Sequence, residues 1–167
     1  LSARWVGMDQ LQFDAANSVA LKKTNEIYVD LSALAKGLGV DELAEHMEAK
    51  AFTDFMVDIG GEMRTLGSSP ANRPWRIGIE KPVAGVRSAI QRVLSVSGQG
   101  VATSGDYRNF RKVDGIRVDH VIDPRSGQPA DNQVASVTVI HPQAIYADAY
   151  ATTIMVLGGD AGLAFAE

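Results

Sequence analysis

Hydrophobic residues fall in short runs along this chain, most of them closed by Gly, Asn, Asp or Pro, and the runs predict strands more often than helices. Leu11 to Asp14 and Ser18 to Lys22 read as a hairpin turning at Ala15-Ala16-Asn17, and Ile27 to Leu31 is a third apolar run. Asp54 to Ile59 and Glu62 to Leu66 flank Gly60-Gly61 as two more strands. Trp75 to Glu80 alternates as a strand should, followed by Arg92 to Val96 and Val101 to Thr103. Asp114-Gly115 sits between runs rich in Val, Ile and Phe, a strong hairpin signal, and Ala135 to Ile140 is one of the clearest β runs.

Helical spacing is confined to fewer places. From Ala33 to about Lys50, Leu34, Leu38, Leu43 and Met47 recur at helical intervals with charge elsewhere, and Asp30-Leu31-Ser32 offers capping residues ahead of them. A second helix is predicted from Ala144 to Leu157, stopped by Gly158-Gly159, and a last short one begins near Asp160. Many short sequential strands with two main helices predict an α+β fold: a mainly antiparallel sheet with the helices packed on it.

Composition narrows the classes. A chain of 167 residues with 46% hydrophobic and 22% charged residues can build one core and is expected to form a single domain. A net charge of -4, with no basic run longer than Lys22-Lys23, argues against a nucleic-acid partner. No apolar stretch is long enough to span a bilayer, and the start shows no charged n-region leading into an apolar core. The first residue is not Met, so a piece of something longer is expected. With zero cysteines, disulfides and thiolate metal sites are excluded.

The candidate chemistry centres on Val101 to Ala130, VATSGDYRNFRKVDGIRVDHVIDPRSGQPA. A small-residue turn at Ala102 to Asp106, the Asp114-Gly115 hairpin and a polar turn starting at His120 would fold Asp106-Tyr107-Arg108 back towards His120 and Asp123. Hydroxyls, a carboxylate, an imidazole and glycine backbone at one sheet end suit a phosphorylated ligand. His120 could serve there as a general base, or be structural, as lone histidines commonly are. His46 and His141 lack such company, and the three histidines do not have zinc spacing.

Two further patterns have both a structural and a functional reading. Gly37 and Gly39 each cost a helix about 1 kcal/mol against alanine. They permit close packing against a strand, or the approach of an anionic ligand to a helix start beside Lys36. The turn Asp58-Ile59-Gly60-Gly61-Glu62 likewise lets a backbone come close to something, or is simply a tight connection. Asp148 and Thr152, four residues apart on a largely apolar helix, share a face. They are either hard oxygen donors suited to Mg²⁺, or a solvated Asp beside a Thr bonded back to the helix carbonyls.

The segments DLSALAKGLGVDELAEHM, MVDIGGEMRTLG, PWRIGIEKP, VATSGDYRNF, HVIDPRSGQPA, SVTVIHP and ADAYATTIMVLG occur in order at telling intervals. Together they resemble the ApbE family of flavin transferases, over nearly the whole chain from about Leu11 onward. The resemblance implies a T-fold-like core in an extracytoplasmic, often lipid-anchored enzyme that uses Mg²⁺ and FAD. It would transfer FMN to a threonine of an acceptor protein, typically a subunit of a membrane redox complex, and release AMP. FAD hydrolysis to FMN and AMP, or flavin binding without turnover, are the alternatives.

Carried across by motif, the resemblance implies FAD contacts at Asp30, Lys36 and Ile122, and a catalytic base at His120. It implies metal ligands at the Ala33 carbonyl, Asp148 and Thr152. Thr103, Ser104 and Gly105 could hold phosphate oxygens. Family members run longer at both ends, and some carry a further acidic residue where this chain has Ala151.

Overall fold

The computed structural model describes residues 6–83, 89–105, 111–113, 116–118, 121–130 and 134–167, with 111–113 and 116–118 as backbone alone. Its centre is a four-stranded antiparallel sheet in the order β12-β7-β4-β3. The strands are β3 (Phe55–Ile59), β4 (Glu62–Leu66), β7 (Gly100–Gly105) and β12 (Ser136–His141). Four antiparallel ribbons accompany it: β1 (Leu11–Asp14) with β2 (Val19–Lys22), β5 (Trp75–Glu80) with β6 (Ile90–Val96), β8 (Arg111–Val113) with β9 (Ile116–Val118), and β10 (Ile122–Asp123) with β11 (Gln128–Pro129). The α+β architecture and the antiparallel pairing are as the sequence predicts. Among the described residues there are three α-helices, α1 (Ala35–Ala49), α2 (Ala144–Leu157) and the short α3 (Gly159–Ala166), and a 3-10 turn at Met8–Gln10.

Register decides what faces what. Ile59 pairs Glu62, Val57 pairs Arg64, Arg64 pairs Gly100, and Ser104 pairs Val137. Side chains alternate along a strand, so Glu62, Arg64, Gly100, Ala102 and Ser104 share one face, and α1 and α2 cover it. The opposite face presents Met63 and Val101 to the β5–β6 ribbon, where Ile77, Val96 and Val101 form a buried cluster with Trp75, Ile79 and Leu94 packed around it. The sheet is thus sandwiched between two helices and a hairpin.

Three expectations are corrected. The stripe of α1 that faces the core is Gly37, Val40, Asp41 and Ala44, whereas Leu38 and Leu43 are exposed. The reason is steric. A Cβ added at Gly37 would lie 2.5 Å from the Ala144 carbonyl oxygen and 2.7 Å from the Ile145 Cα, so α2 comes too close for a large side chain. Gly37 therefore packs on a helix, while Gly39, 3.4 Å from Ile59 Cδ1 by the same construction, is the one set against a strand. Second, Asp30-Leu31-Ser32 does not cap α1. The cap residue is Leu34, without a side-chain bond, and the Asp30 carboxylate accepts the Ser32 N–H in a local turn at 2.8 Å. Third, Thr103, Ser104 and Gly105 continue strand β7, because β12 pairs with it through Ser136↔Gly105. The run Ile27 to Leu31 forms no regular secondary structure.

The last helix stops and restarts at Gly158, whose φ of 85° lies where glycine is favoured. Among the described residues no helix is long and apolar enough to cross a membrane.

The close approach at Gly37 predicts a graded result. Alanine is the better helix former by about 1 kcal/mol, but at Gly37 the new methyl meets backbone that cannot yield, and overpacking of this kind costs about 1–3 kcal/mol. Gly37→Ala is expected to lower the chemical-denaturation midpoint, and Gly39→Ala to leave it near the wild type or raise it. Equal midpoints for the two variants would contradict the packing described.

Candidate functional site: a carboxylate–lysine cluster at the helix junction

The two helices over the sheet cap each other. The first turn of any helix leaves backbone N–H groups without partners. In α1 the Gly37 N–H is answered by the Asp148 carboxylate of α2, at 2.9 Å to Oδ2. In α2 the Ala144 and Ile145 N–H groups are answered by the Asp41 carboxylate of α1, at 2.9 and 2.8 Å. Asp41 also accepts from Arg64 Nη1 on β4 at 2.7 Å. Both aspartates are 4% exposed. The site grows out of this junction.

Asp148 lies on the buried face of α2 with Ala144, Ala147 and Ala151. That excludes the solvated reading of this residue. One turn further, the Thr152 hydroxyl meets the Ser104 hydroxyl of β7 at 3.0 Å rather than a helix carbonyl. Burial pushes the Asp148 carboxyl above the ordinary aspartate value, against the opposing pull of the Gly37 N–H and the Lys36 charge.

Glu62, the first residue of β4, is 2% exposed on the same face of the sheet. Lys36 Nζ stands 2.6 Å from its Oε2, a charge contact without the alignment of a hydrogen bond. Desolvation raises the Glu62 carboxyl above its ordinary value, Lys36 opposes the rise, and the Asp148 charge adds to it. One ammonium therefore serves two buried carboxylates. The left-handed pair Gly60 (φ 63°) and Gly61 (φ 103°) makes the tight β3–β4 turn. A Cβ at Gly60 would lie 3.8 Å from Lys36 Cδ, so the turn runs beside the lysine stem.

The chemistry of the donors can be read from this arrangement. Because the Gly37 N–H turns to Asp148, the Ala33 carbonyl four residues earlier receives no backbone hydrogen bond among the described residues. A carbonyl, a carboxylate and a hydroxyl are hard oxygen donors carrying one formal charge. That set fits Mg²⁺, which takes few protein ligands and completes its shell with water and phosphate. Among the described residues no three His, Cys, Asp or Glu gather as a metal cage.

The remaining predicted site residues are placed as follows. Ser104 joins the junction through Thr152, but Thr103 points to the other face of the sheet, where its hydroxyl meets that of Thr138 at 2.9 Å. A single phosphate-holding turn at Thr103-Ser104-Gly105 is thereby corrected. Asp30 is exposed ahead of α1. Ile122, 38% exposed, starts the β10–β11 ribbon opposite Pro129. The Asp123 carboxylate is held by Arg125 at 2.8 Å, and this contact keeps it below the ordinary range. His120, Asp119, Asp106-Tyr107-Arg108 and the Asp114-Gly115 turn lie outside the described residues.

Sequence reading missed Glu62, Asp41 and Arg64. The available signal was two charged residues, Glu62 and Arg64, at alternate positions of a strand. They had to share a face, and a helix partner of opposite charge was needed for each.

Glu62 predicts a pH dependence. A carboxyl whose folded value is raised holds its proton where the unfolded chain releases it. Its contribution to stability is then present below the ordinary value of 4.5 and is lost as pH rises through the folded value. The unfolding free energy of the wild type relative to Glu62→Gln should therefore fall between acid and neutral pH, as measured by urea titration across that range. A difference that grows with pH would contradict the assignment.

The ApbE family model matches residues 1–167. A FAD:protein FMN transferase of Vibrio cholerae is 46% identical over 146 residues, covering 87% of this chain and 43% of that protein. One from Haemophilus influenzae is 41% identical over 165 residues, 98% of this chain and 48% of its own. Among solved structures, the flavin transferase ApbE from Vibrio cholerae superposes with a TM-score of 0.87 at 40% identity, covering 99% of this chain and 51% of that one. The ApbE protein of Thermotoga maritima gives 0.82 at 32% identity, covering 93% and 49%. The chain spans about half the length of the relatives it matches. A family model matched over the whole chain, relatives at 41–46% identity and a shared backbone converge: the chain belongs to the ApbE family.

Proposed function

We propose that this chain transfers FMN from FAD to a threonine of an acceptor protein, with Mg²⁺ as cofactor. The observation that carries the reading is the Asp148–Gly37 contact. It holds a buried carboxylate at the start of α1, against the residue next in sequence to Lys36 and four residues before Thr152 on α2, in a family whose relatives bear the name FAD:protein FMN transferase.

In this reading the acceptor threonine oxygen attacks the phosphorus of the FMN half of FAD. The new bond is a phosphoester, the pyrophosphate P–O bond breaks, and AMP leaves with the bridging oxygen. The hydroxyl proton goes to His120, the base implied by resemblance. Asp148, the Thr152 hydroxyl and the Ala33 carbonyl would hold the metal, which supplies charge neutralisation at the pyrophosphate. Lys36 stands at the start of α1, where its ammonium adds to the positive end of the helix and can meet a phosphoryl oxygen. Ser104 fixes the Thr152 hydroxyl, and Asp41 and Arg64 keep α1 and α2 in register, so that Ala33 and Asp148 stay at one place. Asp30 and Ile122 are assigned to FAD by the same resemblance, as is an extracytoplasmic setting with a lipid anchor. The acceptor is then a subunit of a membrane redox complex.

AMP release and the mass of an acceptor domain, followed together with FAD and Mg²⁺ present, test this reading. AMP formed only with acceptor, together with an FMN-sized mass gain, is expected. AMP without acceptor would assign hydrolysis instead. Asp148→Ala should abolish the response to Mg²⁺ together with AMP release; a variant that still responds to Mg²⁺ titration would refute the metal assignment. His120→Ala should stop AMP release by about 10²–10⁴-fold, the ordinary weight of a general base, while FAD still quenches on binding. Surviving turnover would refute the base.

A further inference from the structure

Lys36 and Glu62 make an asymmetric pair. The lysine side chain is 48% exposed and the glutamate side chain 3%. Burying a carboxylate this deeply is costly unless it is compensated, and here the nearest compensation is a single ammonium that reaches in from the edge of the site. A surface lysine would normally sample many rotamers. This one is confined on three sides: its Nζ by Glu62 Oε2 at 2.6 Å, its stem by the Gly60 turn, and its backbone by the α1 turn whose Gly37 N–H is fixed to Asp148. An ammonium has three donors and Glu62 uses one direction, so the others are left for an anion arriving from the exposed side.

We propose that Glu62 is a positioning residue for flavin-dinucleotide binding: its buried carboxylate sets where the Lys36 ammonium stands, so that the lysine meets a phosphoryl oxygen already placed. The inference rests on the function proposed above for the substrate's identity, though not for the geometry. It also gives the β3–β4 turn a purpose, since Gly60-Gly61 delivers Glu62 to the helix face at the start of the strand. A mere structural pair would make Lys36 and Glu62 interchangeable with an apolar pair of similar volume. A positioning pair would not.

The test uses the isosteric Glu62→Gln, Lys36→Met and the double variant. FAD affinity is read by flavin fluorescence at fixed Mg²⁺, KM and kcat by AMP release, and folding by thermal melting. Glu62→Gln should weaken FAD binding about tenfold, equivalent to the loss of one well-placed charge contact of about 1.4 kcal/mol, and should raise KM more than it lowers kcat. Lys36→Met should weaken it at least as much, and the double variant should be no weaker than Lys36→Met, because the carboxylate acts only through the lysine. Lys36→Met alone should melt lowest, with the double variant partly restored. Wild-type affinity in Glu62→Gln, or additive losses in the double variant, would overturn the proposal.

A second readout needs no flavin. The acylation rate of Lys36, followed by peptide mass spectrometry at limiting reagent, should rise several-fold in Glu62→Gln as the carboxylate no longer holds the ammonium. An unchanged rate would overturn the positioning role even if the protein bound no FAD. Absence of FAD binding by the wild type, together with the raised rate, would instead sink the substrate reading and leave the positioning intact.

Discussion

The reciprocal capping of α1 and α2 is the constraint on which the rest of this structure depends. Each helix start offers N–H groups that a buried location must satisfy, and each helix supplies the other's acceptor: Asp148 for Gly37, Asp41 for Ala144 and Ile145. Two carboxylates are thereby drawn into the core. The arrangement requires near contact of the backbones, which explains glycine at position 37 and alanine at 144, with Gly100 of β7 beneath them. It also requires cations. Arg64 answers Asp41 and Lys36 answers Glu62, both from elements packed at the junction.

The two halves of the junction use their charges differently. Asp41 is saturated, with two N–H donors and a guanidinium at bonding distance, so it acts as a rivet between both helices and the sheet. Asp148 has one strong partner, and burial pushes its carboxyl upward. A buried carboxylate with a hydroxyl one turn along the same helix is the kind of hard oxygen pair that the proposed metal would need.

Local signals were legible in the sequence and tertiary ones were not. Helix α2 runs Ala144–Leu157 as predicted, because Pro142 and Gly158 bracket it and its interior has no breaker. Strands β3, β4 and β5 fall within a residue of expectation for similar reasons. The buried face of α1 departs from its leucine spacing because the real constraint, contact with α2 at Gly37, favours small residues. Thr103-Ser104-Gly105 looked like a turn from composition, yet pairing with β12 overrides that preference. Asp148 and Thr152 were visible as a same-face pair, but only the fold shows that Asp148 is buried and bonded to a glycine 111 positions away in sequence. Glu62 was invisible as a site residue, since a strand carboxylate gains meaning only from the lysine brought over it.

The most direct test is the structure of this protein with FAD and Mg²⁺ bound. If the helix junction is the active centre, the pyrophosphate will lie between the Lys36 ammonium and a metal held by Asp148 and Thr152, with Glu62 still against the lysine. A flavin dinucleotide seated elsewhere, for instance on the β5–β6 side of the sheet, with Asp148 bonded only to Gly37, would show the junction to be a structural clasp and nothing more.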